Sequence, residues 1–81
     1  MENQRLTLLK SFEENSNWFH KNIDLIRKKG FTGKFVAIKS NKVISSGESM
    51  DNLMDSLEKE GENPSYLFIE FVHPEGYVLL L

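Results

Sequence analysis

Residues 33–46 read Gly-Lys-Phe-Val-Ala-Ile-Lys-Ser-Asn-Lys-Val-Ile-Ser-Ser, and this stretch decides the fold. Two short runs rich in β-branched and aromatic residues, 33–39 and 43–46, flank a polar connection. The connection contains Asn41, a residue type that tolerates the backbone conformations of tight turns. The pattern therefore predicts a β-hairpin.

The loop length of this hairpin decides which residues face each other. A two-residue loop would pair Ile38 with Val43. The same loop would place Lys39 directly opposite Lys42. A three-residue loop would instead pair Ile38 with Ile44. Because like charges placed opposite each other destabilise a strand pair, we expect the three-residue loop.

A long helix is predicted before the hairpin, over residues 6–29. Its apolar residues recur at intervals of three, four and seven, which places them on one face: Leu8, Leu9, Phe12, Phe19, Ile23 and Ile26. Trp18 and Leu25 widen this face into a second stripe, so we expect the helix to be covered on more than one side. Residues 15–17 prefer helix caps to helix interiors, and we expect a kink or a new N-cap at Ser16.

A second helix is predicted after the hairpin. Ser49 suits the N-cap, Gly61 can end the helix in the left-handed conformation, and Pro64 prevents its resumption. One stripe is apolar and consists of Met50, Leu53, Met54 and Leu57. The outer face is acidic and carries Asp51, Asp55, Glu58 and Glu60. This helix is amphipathic, with its acidic side toward solvent.

Two further strands are predicted at the end of the chain, over residues 66–72 and 77–81, with a turn between them. The element order is then α-β-β-α-β-β. A right-handed crossover between the hairpin and the third strand favours a four-stranded, mainly antiparallel sheet in the order 2-1-3-4. Both helices are expected on one face of this α+β fold, which would leave the other face open.

The composition indicates one small globular domain. At 81 residues the chain fits a single α+β domain over residues 1–81, in which residues 1–14 are a possible N-terminal helical extension. The absence of cysteine excludes disulfides and thiolate metal sites, which favours stabilisation by self-association or by a partner. No apolar run approaches the roughly 18 residues of a membrane span, and we expect a cytoplasmic protein.

The charges divide along the chain. Nine of the ten basic residues and four of the twelve acidic ones fall within residues 1–42, so this part carries a net charge of +5. Residues 43–81 carry a net charge of −7. Such asymmetry is typical of a domain that meets a charged partner, of copies that pair through opposite faces, or of halves that neutralise each other on folding.

The order and spacing of five short patterns resemble a known family. They are Trp18-Phe19-x-x-Asn22, Gly33-Lys34-x-Val36-Ala37-Ile38, Val43-Ile44-x-x-Gly47, Gly61-x-x-Pro64 and Val72-x-Pro74-Glu75-Gly76. Across residues 15–76 the chain resembles a small, mainly archaeal group of proteins known only as a domain of unknown function. The resemblance implies a cytoplasmic, prokaryotic setting and carries over no catalytic residue.

No motif of catalysis or cofactor binding is found in the sequence. There is no nucleophile elbow, no phosphate-binding Gly-Lys-Thr loop and no cysteine nucleophile. His20 and Asp24 have a spacing that can hold a metal, but His73 lies in a remote turn, so we expect three ordinary surface residues. We expect no enzymatic activity, no metal and no cofactor.

The leading hypothesis is a small protein-interaction module. It would associate through an open sheet face and the last strand, either with itself, as a dimer, or with a protein partner. The residues expected to bind the partner are Tyr66, Phe68, Val72, Tyr77, Leu79 and Leu81, with Trp18 as a helical anchor.

The alternative hypothesis is a nucleic-acid-binding module. A basic patch over residues 27–42 would contact phosphates while aromatic residues stack on bases. Its cations are Arg27, Lys28, Lys29, Lys34, Lys39 and Lys42. The acidic isoelectric point, near 5.6, argues against this alternative.

Overall fold

The computed structural model describes residues 3–75 of the protein, with side chains from residue 9 onward. Its helices are α1 (Asn3–Lys21), α2 (Ile23–Ile26) and α3 (Met50–Glu60), and its strands are β1 (Phe35–Ile38), β2 (Val43–Gly47) and β3 (Phe68–Phe71). A π-helical turn over Arg27–Phe31 follows α2, and a 3₁₀ turn over Pro64–Tyr66 precedes β3. The protein is therefore an α+β domain.

The three described strands form an antiparallel sheet in the order β2-β1-β3. The predicted four strands in the order 2-1-3-4 are not matched, and the predicted last strand, 77–81, lies outside the described residues. The third strand is also shorter than predicted, because Tyr66 belongs to the 3₁₀ turn. In that turn the Asn63 side chain accepts a hydrogen bond from the backbone N–H of Ser65, 3.0 Å away.

The helices cover opposite faces of the sheet, so the prediction that both lie on one face is wrong. Val36 and Ile38 of β1 pack with Phe19 and Ile26, on what we call the α1 face. Ala37 lies on the other face, the α3 face, where it packs with Leu53, Leu57 and Leu67. The cause is the central strand, which is apolar at every position and therefore needs cover on both sides.

The hairpin loop has two residues, not the three predicted. Ser40 and Asn41 both have positive φ, 53° and 60°, as a type I′ turn requires. Lys39 and Lys42 are paired opposite each other, with both backbone N–H groups bonded across the pair. The Lys39 ammonium turns to the Glu62 carboxylate, 3.1 Å away, which offsets the repulsion that argued for a longer loop.

Helix α1 runs without a break through residues 15–17, so the predicted kink or N-cap at Ser16 is wrong. Asn15 is only 4% exposed, and its Oδ1 accepts a hydrogen bond of 3.0 Å from the backbone N–H of Asn41 in the hairpin turn. The helix instead ends before Asn22, whose side-chain amide donates to the carbonyl of Trp18 at 2.9 Å. Asn15 thus joins α1 to the hairpin, whereas Asn22 bonds to a carbonyl in the last turn of α1.

Helix α3 begins and ends as predicted. The Ser49 side chain accepts a hydrogen bond from the N–H of Asn52 at 3.1 Å, which is the geometry of an N-cap. Gly61 is left-handed, with φ of 75°, and the N–H of Glu62 donates to the carbonyl of Leu57 at 2.9 Å. This is the Schellman pattern of a helix C-terminus.

Candidate functional site

An open cleft of about 300 Å³ lies on the α1 face of the molecule. It is lined by Trp18, Leu25, Ile26, Lys29, Phe31, Lys42 and Val43, and we call it the Trp18 cleft. Helix α1, helix α2 and the π-helical turn form one side, and the start of β2 forms the other. Five of its seven lining residues are apolar.

The neighbouring aromatic residues Trp18 and Phe19 take different positions because adjacent helical residues point about 100° apart. Phe19 is buried on the α1 face, with its ring centroid 5.9 Å from that of Phe68. Trp18 is half-buried at the margin of the same core, where it lines the cleft. A single turn of α1 therefore supplies both a core residue and a residue that lines the cleft.

Helix α2 and the π-helical turn form the rest of the helical side of the Trp18 cleft. Leu25, on α2, is 48% exposed. Gly30 adopts the left-handed conformation that the sequence allows at this position, with φ of 95°. Phe31 follows it and packs half-buried against the core beneath the cleft. The apolar lining is thus built from residues close in sequence, except for Val43.

The cleft is positively charged. Lys29 and Lys42 are both exposed and line it, and no acidic residue is among its lining residues. Neither lysine forms an ion pair within the described part of the chain. By contrast, Arg27 pairs with Asp24 at 3.2 Å. The two cations of the cleft are therefore available to an acidic group from outside.

Of the residues predicted to bind a partner, the four that the structure describes do not form one exposed surface. Trp18 lines the cleft, but Phe68 and Val72 belong to the core of the α1 face, which helices cover. Tyr66 is 57% exposed and stands apart, at the end of the 3₁₀ turn. The remaining predicted residues, Tyr77, Leu79 and Leu81, lie outside the described residues.

The predicted basic patch is divided in the structure. Only Lys29 and Lys42 share the aromatic cleft. The other four cations lie elsewhere: Arg27 and Lys28 line a polar depression with Asp24 and Glu75, Lys39 pairs with Glu62, and Lys34 is half-buried in the loop before β1. Within the π-helical turn, Arg27 and Lys28 face this depression while Lys29 faces the cleft.

The histidines and Asp24 make local contacts. Nδ1 of His20 donates to the carbonyl of Ser16 at 2.8 Å. The carbonyl of His73 accepts a hydrogen bond of 2.9 Å from Nε of Arg27. Across residues 3–75, no group of three or more His, Asp or Glu residues is arranged to hold a metal ion. Within the same residues, no helix has the length and hydropathy to span a membrane.

Several residues of the cleft were not predicted as binding residues. Ile26 and Val43 were expected only as parts of a helix face and a strand, and their meeting depends on the packing of α2 against the hairpin. The sequence held one usable signal, the second apolar stripe that Trp18 and Leu25 form seven residues apart on the predicted helix.

The fold and the cleft define a small α+β domain with helices on both faces of its sheet and an open apolar cleft at one side. Residues 27–73, more than half of the chain, match the family of unknown function DUF5678. The chain belongs to this family. No curated protein matches it, and no solved structure does.

Proposed function

We propose that the protein is a small protein-interaction module without catalytic activity of its own, which associates with itself or with a protein partner. The observation that carries the proposal is the Trp18 cleft. An apolar, half-open cleft that contains a tryptophan is the arrangement found at binding hot spots, where an aromatic anchor and its neighbours exclude water from a contact. A cytoplasmic, archaeal-type setting and a dimeric state are parts of the same proposal.

The cleft replaces the open sheet face as the docking surface. In the described part of the chain, both sheet faces are covered, one by α1 and α2 and the other by α3. A partner therefore has no apolar sheet face to cover in this part of the molecule. At the cleft the apolar core continues to the surface. Ile26 at its floor is buried, whereas Trp18 beside it is half-buried and Leu25 is exposed.

Nucleic-acid binding is the second candidate, and one observation favours it. Trp18 and Phe31 share the cleft with two lysines, and stacking aromatics beside cations are typical of single-strand binding. Two phosphate contacts, however, would give a salt dependence of only about −1.4 in log K against log salt. Since the other four cations of the predicted patch lie elsewhere, the described lining of the cleft offers only two cations to a phosphate backbone, and we favour a protein partner.

Site-specific photocrosslinking in the native cell tests the proposal. A photoreactive amino acid placed at Leu25 should form an adduct with a protein, either a second copy of the chain or a different polypeptide. Placed at Asp55, on the acidic side of α3, it serves as the control and should not form that adduct. The adduct at position 25 should also disappear when Trp18→Ala removes the aromatic wall of the cleft.

Each other result counts against the proposal. An adduct with nucleic acid at position 25 would move the assignment to the second candidate. Adducts that are the same at positions 25 and 55, or that persist in Trp18→Ala, would show that contact at the cleft is not specific. The absence of any adduct at position 25 would overturn the proposal as well.

A further inference from the structure

We infer that the Trp18 cleft takes an apolar side chain that is carried on an acidic segment of a protein partner. The inference rests on the proposed function and names the chemistry of its partner. Two independent features of the cleft carry it, the size and polarity of its lining and the sign of the charges at its rim.

The lining selects an apolar group of limited size. Trp18, Leu25 and Phe31 form its walls, and Ile26 and Val43 connect them to the core. The volume of about 300 Å³ lies at the lower limit of ligand clefts, so it suits one or two side chains better than a large cofactor. Apart from the indole N–H of Trp18 these walls are hydrocarbon, so they offer little to a ligand that is polar throughout.

The charges at the rim of the cleft favour a partner that carries negative charge beside its apolar side chain. Arg27 and Lys28 face the polar depression, where Asp24 and Glu75 are also found. Lys29, the next residue along the π-helical turn, lines the cleft instead, and Lys42 reaches it from the end of the hairpin. No acidic residue lines the cleft to neutralise them. Carboxylates that flank an inserted apolar side chain would meet both ammonium groups.

The hairpin geometry explains why Lys42 is available to a partner. Lys39 and Lys42 form one cross-strand pair, but only Lys39 bonds to the Glu62 carboxylate, through Nζ at 3.1 and 3.4 Å. Lys42 borders the depression that contains Glu62 and also lines the Trp18 cleft. With Glu62 already paired, Lys42 is the cation left to face the cleft. Charges at a rim of this kind guide association and orient the partner more than they supply affinity.

The chain contains one tryptophan, so its fluorescence reports directly on the cleft. The probe is a synthetic Glu-Glu-Leu-Leu-Glu-Glu peptide with blocked ends, titrated into the full chain at low salt. We expect a saturable shift of Trp18 emission. A Glu-Glu-Ser-Ser-Glu-Glu peptide and a Lys-Lys-Leu-Leu-Lys-Lys peptide should bind at least about tenfold more weakly, because each lacks one of the two required features.

Charge reversal at the two lysines of the cleft tests the role of its rim, and charge reversal elsewhere is the matched control. The variant Lys29→Glu/Lys42→Glu should weaken binding of the acidic peptide at least about tenfold. The variant Lys28→Glu/Lys59→Glu changes the net charge equally at exposed positions outside the cleft and should bind nearly as well as the original chain. Thermal unfolding followed by circular dichroism verifies that both variants fold.

The inference is overturned if the three peptides bind alike, if the two reversals weaken binding equally, or if none of the peptides shifts the emission. It is also overturned if an oligothymidylate shifts the emission while the acidic peptide does not, since the cleft would then bind nucleic acid. If this inference fails, the photocrosslinking experiment still tests the proposed function by itself. A Trp18-dependent protein adduct at position 25 would still show a protein-binding cleft, with a partner of different chemistry.

Discussion

The substitution Gly47→Ala tests how closely β2 packs on α3. A Cβ atom added at Gly47 would lie 2.5 Å from the backbone nitrogen of Leu53 and 3.0 Å from the carbonyl carbon of Asn52. These are helix backbone atoms, so no side-chain rotation can relieve the contact, and β2 or α3 must move. Overpacking of this kind costs about 1–3 kcal/mol. From the middle of that range, about 2 kcal/mol, the loss of unfolded-state entropy offsets about 0.4–1 kcal/mol, which leaves a net loss of about 1–2 kcal/mol.

Thermal unfolding followed by circular dichroism measures this loss. For a domain of this size, about 1–2 kcal/mol corresponds to a fall in Tm of roughly 4–16 °C. The control is Ser46→Ala, which introduces the same residue one position earlier in β2 and should change stability by less than about 0.5 kcal/mol. If Gly47→Ala leaves Tm unchanged or raises it, the close approach of β2 to α3 inferred from the structure is incorrect.

Three further substitutions test the local bonds of the fold by urea unfolding. Asn15→Ala should cost about 1–3 kcal/mol and speed amide hydrogen exchange at Asn41, because that N–H loses its acceptor; unchanged exchange would contradict this. Ser49→Ala should cost about 1 kcal/mol by removing the N-cap of α3, and a stability equal to that of the original chain would argue against the cap. Asn41→Gly should be neutral or stabilising, since φ is 60° there; a loss above about 1 kcal/mol would contradict the type I′ turn.

The elements that could be predicted are those whose signals are local. Helix α3 is specified within its own sequence, by Ser49 at one end, by Gly61 at the other and by apolar residues spaced along one face. The central hairpin was predicted for the same reason, because β-rich runs flank a short polar connection that contains the turn-tolerant Asn41. In both cases the groups that hydrogen-bond to the backbone are only a few residues away, so a short stretch of sequence is enough to predict the element.

The errors concern residues whose partners are distant in the sequence. Asn15 has the propensity of a helix cap, yet its acceptor oxygen binds an N–H in the hairpin, 26 positions further on. Lys39 opposite Lys42 is unfavourable by itself, but Glu62, 23 residues from Lys39, supplies the opposite charge. Local rules assign such residues incorrectly because tertiary contacts, which they do not include, outweigh them.

The packing of α3 on the opposite face of the sheet from α1 could in principle have been predicted. Phe35, Val36, Ala37 and Ile38 are consecutive apolar residues, and a strand that is apolar on both sides is expected to be buried on both sides. The Trp18 cleft was harder to predict from the sequence, since it forms only where α2 and the start of β2 meet. The apolar stripe on the helix indicated a second contact, but its location depends on packing.

The charge asymmetry of the chain has two components that the structure separates. Part of it is neutralised within the molecule, as the pair between Lys39 of the basic part and Glu62 of the acidic part shows, and an exposed pair of this kind contributes only about 0–1 kcal/mol. Another part lies on Lys29 and Lys42 at the margin of the apolar cleft, and neither lysine forms an ion pair within the described residues. Such charges steer association and fix orientation while buried hydrocarbon supplies affinity, so we propose that the unpaired part of the charge serves partner recognition.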